Sequence, residues 1–221
     1  MGLINKLVGM IAPHECIVCG VQGSILCTSC QSVEIFEVPS RCYRCKKLTK
    51  EFRVCVSCKS SSSLNHVWVS TLYDPIPKKL IRKLKFEYAI DAARDMAQIM
   101  DNLTPVTDSF EVVHIPTASS RVRSRGFDHS KEITKNFCKL RSQIPQSYLI
   151  RIGQTRQVRS SPSLRKKQMQ NAFVCKNDMS GKSILLIDDV LTTGSTLESA
   201  AKVLRKAGAK TVSALVFAQK V

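Results

Sequence analysis

The chain has 221 residues, 43% of them hydrophobic: room for one full-sized domain plus a small module, and too apolar a composition for wholesale disorder. No apolar run approaches the ~18 residues of a membrane-spanning helix, so no transmembrane segment is expected. Lys and Arg outnumber Asp and Glu by 34 to 17, and unevenly: residues 121–182 hold fifteen bases against three acids, residues 64–120 six against seven. A segment that basic reads as a surface for phosphates, on a nucleic acid or on a small phosphorylated ligand, or else as a solvated face.

The opening stretch MGLINKLVGMIAP is short and has Lys6 inside its apolar part, which argues against a signal peptide and for a short amphipathic helix on a cytoplasmic protein. Eight of the ten cysteines then follow as four C-x-x-C pairs: Cys16/Cys19, Cys27/Cys30, Cys42/Cys45 and Cys55/Cys58. Each spacing lets two thiolates on one tight knuckle reach a tetrahedral ion, and eight thiolates make two zinc sites of four sulfurs each. Disulfides are disfavoured in a reducing compartment, and a redox motif would need one pair beside a βαβ unit, not four in series. The sites can be sequential, as in a double zinc ribbon, or interleaved in a cross-brace; sequential pairing closes the shorter loops and is preferred. Sites filled by sulfur leave no open position for water, so the zinc serves folding, and the module has too small a core to fold without it. Arg41, Arg44, Lys46, Lys47, Lys50 and Arg53 give the module a basic face. Cys138 and Cys175 are isolated and read as buried small apolar residues.

The polar run Lys59-Ser60-Ser61-Ser62-Ser63 reads as a linker, dividing a zinc-binding module at 1–63 from a second domain at 64–221. From His66 onward strands and helices alternate. VWVSTLYD is a strand, KKLIRKLKF and AARDMAQIMDNL are helices, FEVVHIP is a strand, and SKEITKNFCKL is a helix that follows an exposed loop. SYLIRI is a strand before a long basic segment; KSILLIDDV is a strand, TLESAAKVLRKAG a helix, and KTVSALVFA a last strand. Near-continuous apolar strands between helices predict an α/β fold, a mostly parallel sheet covered on both faces.

In such sheets ligands bind beyond the carboxyl ends of the strands. The run ILLIDDVLTTGSTL, residues 184–197, puts Asp188 and Asp189 at that point, directly before a helix. Thr192, Thr193, Gly194, Ser195 and Thr196 offer short hydroxyls and backbone amides at the helix N-terminus, an anion cradle. Two acids able to accept from hydroxyls, followed by a phosphate cradle, suit a ribose 5-phosphate.

That run resembles the phosphoribosyl-pyrophosphate (PRPP) loop of type I phosphoribosyltransferases. The resemblance implies that Asp188 and Asp189 hold the ribose hydroxyls, that residues 192–196 hold the 5-phosphate, and that magnesium accompanies the pyrophosphate. A narrower likeness spans almost the whole chain. Four C-x-x-C pairs, then Lys85-Phe86, then Pro116 followed by Arg121-x-Arg123-x-Arg125-Gly126-Phe127, then the PRPP loop, resemble the ComF family of competence proteins. By that resemblance the loop after Pro116 binds pyrophosphate through Arg121, Arg123 and Arg125; three arginines beyond a strand end also suit a polyanion in their own right. Residues 153–171, with Arg156, Arg159, Arg165, Lys166 and Lys167, fall where such transferases carry a loop that closes over the site. Gln168 stands where an arginine is usual in the family, and His114 where small apolar residues are.

Three functions fit these features. The first is a ComF-type protein of DNA uptake that binds Mg-PRPP, with single-stranded DNA on its basic face. The second is a working salvage phosphoribosyltransferase; nothing in residues 66–100 or in the zinc module declares an acceptor base. The third is an adaptor whose zinc module docks a DNA-uptake helicase.

Overall fold

The computed structural model describes residues 14–103, 110–152 and 172–220. The helix expected within residues 1–13 and the basic cluster Arg156, Arg159, Arg165, Lys166 and Lys167 lie outside the described residues. Six strands are described: β1 (Val67–Leu72), β2 (Glu111–His114), β3 (Leu149–Arg151), β4 (Phe173–Cys175), β5 (Ser183–Leu191) and β6 (Thr211–Gln219). The helices are α1 (Thr28–Glu34), α2 (Val56–Lys59), α3 (Pro75–Phe86), α4 (Asp91–Leu103), α5 (Ser119–Arg125), α6 (His129–Leu140) and α7 (Ser195–Lys206).

Four strands form one sheet in the order β1-β6-β5-β2, and every pair in it is parallel. β5 and β6 are central and carry the longest apolar runs, as strands buried on both faces require. Their side chains alternate between two cores. Leu185, Ile187, Leu215 and Phe217 pack with Leu80, Leu84, Met96, Ile133 and Phe137 of α3, α4 and α6. Ile184, Leu186, Ala214 and Val216 pack instead with Leu197, Ala200 and Leu204 of α7. Full burial of a ring such as Phe137 or Phe217 contributes about 1.5–3 kcal/mol relative to leaving it exposed. The sheet is therefore clamped by helices on both sides, the α/β architecture read from the strand patterns.

Local signals place the helix starts. Pro75 opens α3, where its missing N–H costs nothing. Asp128 caps α6 by accepting from the amides of Ser130 (3.1 Å) and Lys131 (3.3 Å). Three details depart from expectation. SYLIRI does give a strand, but β3 joins β4 in a separate antiparallel ribbon, Leu149 opposite Cys175. The segment after Pro116 is not an open loop: α5 fills it and ends at Gly126, whose φ of +73° is a left-handed cap. Cys138 is fully buried as expected, whereas Cys175 is only partly buried and its thiol donates to the Asn177 carbonyl at 3.5 Å.

The cysteine-rich segment is divided between the two cores. Cys16, Ile25, Leu26 and Ile35 join the core beneath α3 and α4, while Cys42, Tyr43, Val54 and Leu64 join the one beneath α7. The two four-cysteine sets thus sit on opposite faces of the sheet. Among the described residues no helix is long and apolar enough to cross a membrane.

Candidate functional site

The eight clustered cysteines form two sets, Cys16/Cys19/Cys27/Cys30 and Cys42/Cys45/Cys55/Cys58, the ligand atoms of each lying within 4.8 Å of one another. Pairing is sequential. All ten cysteines are free thiols. Tetrahedral zinc with Zn–S bonds of about 2.3 Å demands S···S edges of about 3.8 Å; Cys19 and Cys27 are 3.6 Å apart and Cys45 and Cys55 are 3.5 Å apart. Burial raises the Cys16 and Cys42 thiol pKa values, but knuckle amides, those of Cys19 and Cys27 and of Cys45 and Cys55, outweigh it and hold both down to about 6. The clustering and spacing of the sulfurs fit zinc, although burial and the neighbouring thiols push the Cys30 and Cys58 pKa values up. Each set could hold one ion, with no position left for a substrate.

Each four-cysteine set is fastened to the α/β body through a carboxylate of a body helix. Asp95 of α4, 4% exposed, accepts from the amides of Ile25 (2.8 Å) and Leu26 (2.9 Å), while Arg94 reaches the Gly23 carbonyl at 3.0 Å. Glu198, in the first turn of α7, accepts from the hydroxyls of Tyr43 and Ser62 and from the Ser63 amide at 3.1 Å, with Arg44 at 3.8 Å. Ser62 and Ser63, which composition marks as linker, are therefore anchored. Tyr43 lies between the ligands Cys42 and Cys45, so the second knuckle rests on the start of α7. Its ring comes so close to Gly194 that a Cβ there would meet Cε2 at 2.6 Å and Cδ2 at 2.8 Å.

Gly194 is the pivot of the loop between β5 and α7. Its φ of +75° turns the strand end into the helix, a conformation glycine adopts freely. Thr192, Thr193 and Ser195 are exposed, and the Thr193 hydroxyl lies 3.1 Å from that of Ser195. The first amides of a helix have no intrahelical acceptor, so α7 presents donors toward this loop.

At the other end of the loop, Asp189 is 5% exposed and paired twice: with the Lys85 ammonium, and with His129 Nε2 at 3.6 Å. Burial would raise its pKa, but His129 and Lys85 hold it below the usual carboxylate range. Arg125 donates to His129 Nδ1 at 3.2 Å, which leaves the Nε2 proton facing Asp189. Asp188 is less enclosed and accepts from the Asp189 amide at 3.0 Å. Burial, then the charge of Asp189, push its pKa well above the ordinary value. One acid is thus held ionised by its partners, while burial and that neighbouring charge disfavour the ionised form of the other.

α5 redistributes the arginines. At 100° per residue Arg121 and Arg125 share a face, whereas Arg123 points another way. Arg125 reaches His129 and lies over the Phe86 ring at 5.0 Å. Burial, then Arg121, push the Arg151 pKa down, while the charges of Asp188 and Asp128 oppose them. Arg151 also donates to the Pro116 carbonyl at 3.1 Å. The turn is closed by Asp128, which accepts from the Thr117 amide and hydroxyl, both at 2.8 Å. Lys85, His129, Arg151 and Tyr43 enter the site without having been singled out as site residues. Lys85-Phe86 carried a signal in the family motif, but the other three are brought in by tertiary contacts alone. His114 occupies β2 in the sheet beside Ile187, 8% exposed, and burial lowers its pKa.

A strand of a parallel sheet with paired acids near its carboxyl end, then a glycine-centred loop and a helix N-terminus, define a phosphoribosyltransferase-like domain. A family model described as the phosphoribosyl transferase domain matches residues 149–221. The competence protein ComFC of Streptococcus pneumoniae is 26% identical over 195 residues, covering 86% of this chain and 85% of that protein. The DNA utilization protein YhgH of Salmonella typhi is 30% identical over 155 residues, 63% of this chain and 66% of that protein. A solved structure of glutamine PRPP amidotransferase from B. subtilis superposes with a TM-score of 0.44 at 17% identity, over 58% of this chain and 27% of that one. With two N-terminal four-cysteine clusters joined to that domain, the chain belongs to the ComF family.

Proposed function

We propose that this chain is a ComF-type protein of natural transformation that acts in the cytoplasm, holds Mg-PRPP at residues 188–196 and takes incoming single-stranded DNA on its basic face. The names of its relatives, a competence protein and a DNA utilization protein, support the biological part. One observation carries the chemical part: Asp188 and Asp189 sit near the carboxyl end of β5, which leads into the Gly194 loop at the N-terminus of α7.

In this reading the amides and hydroxyls of residues 192–196 take the 5-phosphate, with the α7 dipole favouring its charge. Asp189, fixed by Lys85 and His129, anchors the acid pair, and Asp188 accepts from a ribose hydroxyl. Arg121 and Arg125, which share one face of α5, contact the pyrophosphate in this reading, with Arg123 on another face. Asp188 would also be able to accept from a water of a bound magnesium, which would supply charge neutralisation on the pyrophosphate. Tyr43 and the second knuckle brace the loop from outside.

Calorimetric titration of Mg-PRPP, ribose 5-phosphate and pyrophosphate separates the parts of the site. PRPP should bind more tightly than either fragment, and indifference to all three removes the chemical part. Single-strand binding should weaken as salt rises, by about 0.7 log units per contacted phosphate per tenfold salt. No strand binding at low salt removes the DNA part. PRPP consumption across a panel of bases would mark a salvage transferase instead.

A further inference from the structure

Beside the sugar-side acids the surface carries an aromatic cluster that the proposed ligand does not use. Phe86 and Tyr88 follow Lys85, the partner of Asp189, and are 65% and 61% exposed. The Arg125 guanidinium lies over the Phe86 ring, 5.0 Å from its centroid. The Tyr88 ring is tilted against Phe127 at 6.5 Å, and its hydroxyl donates to the Ser124 carbonyl at 3.2 Å. The chain between α3 and α4 is bent to hold this arrangement. Tyr88 has φ +56°, which a bulky side chain rarely adopts, and strain of that kind collects where a side chain has a task. The core does not demand it: the neighbouring Ala89 and Ala92 pack inward while both rings stay out.

We propose that Phe86 and Tyr88, with Arg125, form a stacking site for a nucleobase. Flat π-faces with a guanidinium among them suit the two faces and the polar edge of a base. The surroundings suit what a base is attached to: Arg121 and Arg125 lie on one face of α5, and the chain carries a net charge of +17. The site is continuous with Asp189 through Lys85, so a base stacked here lies next to a sugar held by the acid pair. The base can belong to a single strand or be free; only the free-base source rests on the proposed PRPP reading.

A short labelled oligothymidylate and an abasic strand of equal length, titrated by fluorescence anisotropy, supply the test. The wild type should prefer the base-bearing strand. Phe86→Ala and Tyr88→Gly should each weaken it by about tenfold, the size of one base–aromatic stack, and leave the abasic strand unchanged. Glycine accepts φ +56° without strain, so a loss in Tyr88→Gly reports the ring and not the backbone. Phe86→Trp should retain binding. Adenine, hypoxanthine and uracil titrated onto the Mg-PRPP-loaded protein form the second arm; binding there, lost in both variants while strands bind normally, assigns the site to a free base. Mg-PRPP itself should bind Tyr88→Gly as it does the wild type; Phe86→Ala also removes the ring beneath Arg125, a proposed pyrophosphate contact, and is left out of that control. If wild type binds no PRPP, the proposed ligand site is lost while the strand measurement still stands. Unchanged affinity of both variants for the strand and for every base overturns the proposal.

Discussion

Gly194→Ala tests the claim that the second knuckle braces the anion loop. Alanine at φ +75° carries a backbone penalty of about 1–2 kcal/mol. Its Cβ would also stand 2.6 Å from Tyr43 Cε2, where 3.4 Å or more is ordinary contact. The ring cannot swing away freely: Tyr43 is 5% exposed, its hydroxyl donates to Glu198, and Arg44 beside it pairs with the same carboxylate. Overpacking of this kind costs about 1–3 kcal/mol. The sum is a loss of about 2–5 kcal/mol in urea unfolding, the two terms simply added. Tyr43→Ala in the same background removes the overlap and keeps the backbone penalty. The double variant should therefore be less destabilised than the sum of the singles, by about 1–3 kcal/mol. Additive singles, or a Gly194→Ala loss within about 0.5 kcal/mol, would show that knuckle and loop are not in contact in solution.

The metal sites predict two zinc ions per chain by mass spectrometry, and Cys19→Ser or Cys45→Ser should each remove one. Asp95→Ala strands the buried amides of Ile25 and Leu26, which should cost about 2–5 kcal/mol in unfolding and weaken zinc retention in the first set; Asp95→Asn, which keeps one acceptor oxygen, should recover much of both. Burial lowers the His114 pKa, so below 6.5 the unfolded chain takes a proton that the folded one refuses. Stability should therefore fall as pH drops below 6.5, and His114→Gln should shallow that limb by up to about 1.4 kcal/mol per pH unit. The same limb in both proteins would place His114 in water.

Much of this architecture is legible in local pattern. The four C-x-x-C pairs indicate metal sites because a knuckle is a property of four residues, while the choice between sequential and interleaved pairing rests on loop length and is decided by the fold; apolar runs 184–187 and 212–218 show a sheet buried on both faces. The strand, acid pair, glycine loop and helix start occupy 14 consecutive residues, so local periodicity places them correctly. What escapes is whatever depends on distant partners. Alternate arginines at 121, 123 and 125 look equivalent in an extended chain, and only the helical turn of α5 separates Arg123 from the other two. Asp189 reads as a free acceptor until Lys85 and His129, from two other helices, are brought to it. Tyr43 reads as an ordinary knuckle residue, and only the docking of the second four-cysteine set on α7 puts its ring against Gly194, 151 positions along the chain. The serine run reads as linker from composition, yet Glu198 binds Ser62 and Ser63.

The central claim is that the acids at the end of β5 and the loop into α7 hold a phosphorylated ribose. Calorimetry with Mg-PRPP on the wild type and on Asp188→Asn/Asp189→Asn tests it most directly, with circular dichroism and zinc content confirming that the variant is folded. Measurable binding by the wild type, lost in the folded variant, is the predicted result. Equal binding by both, or none by the wild type, would contradict it.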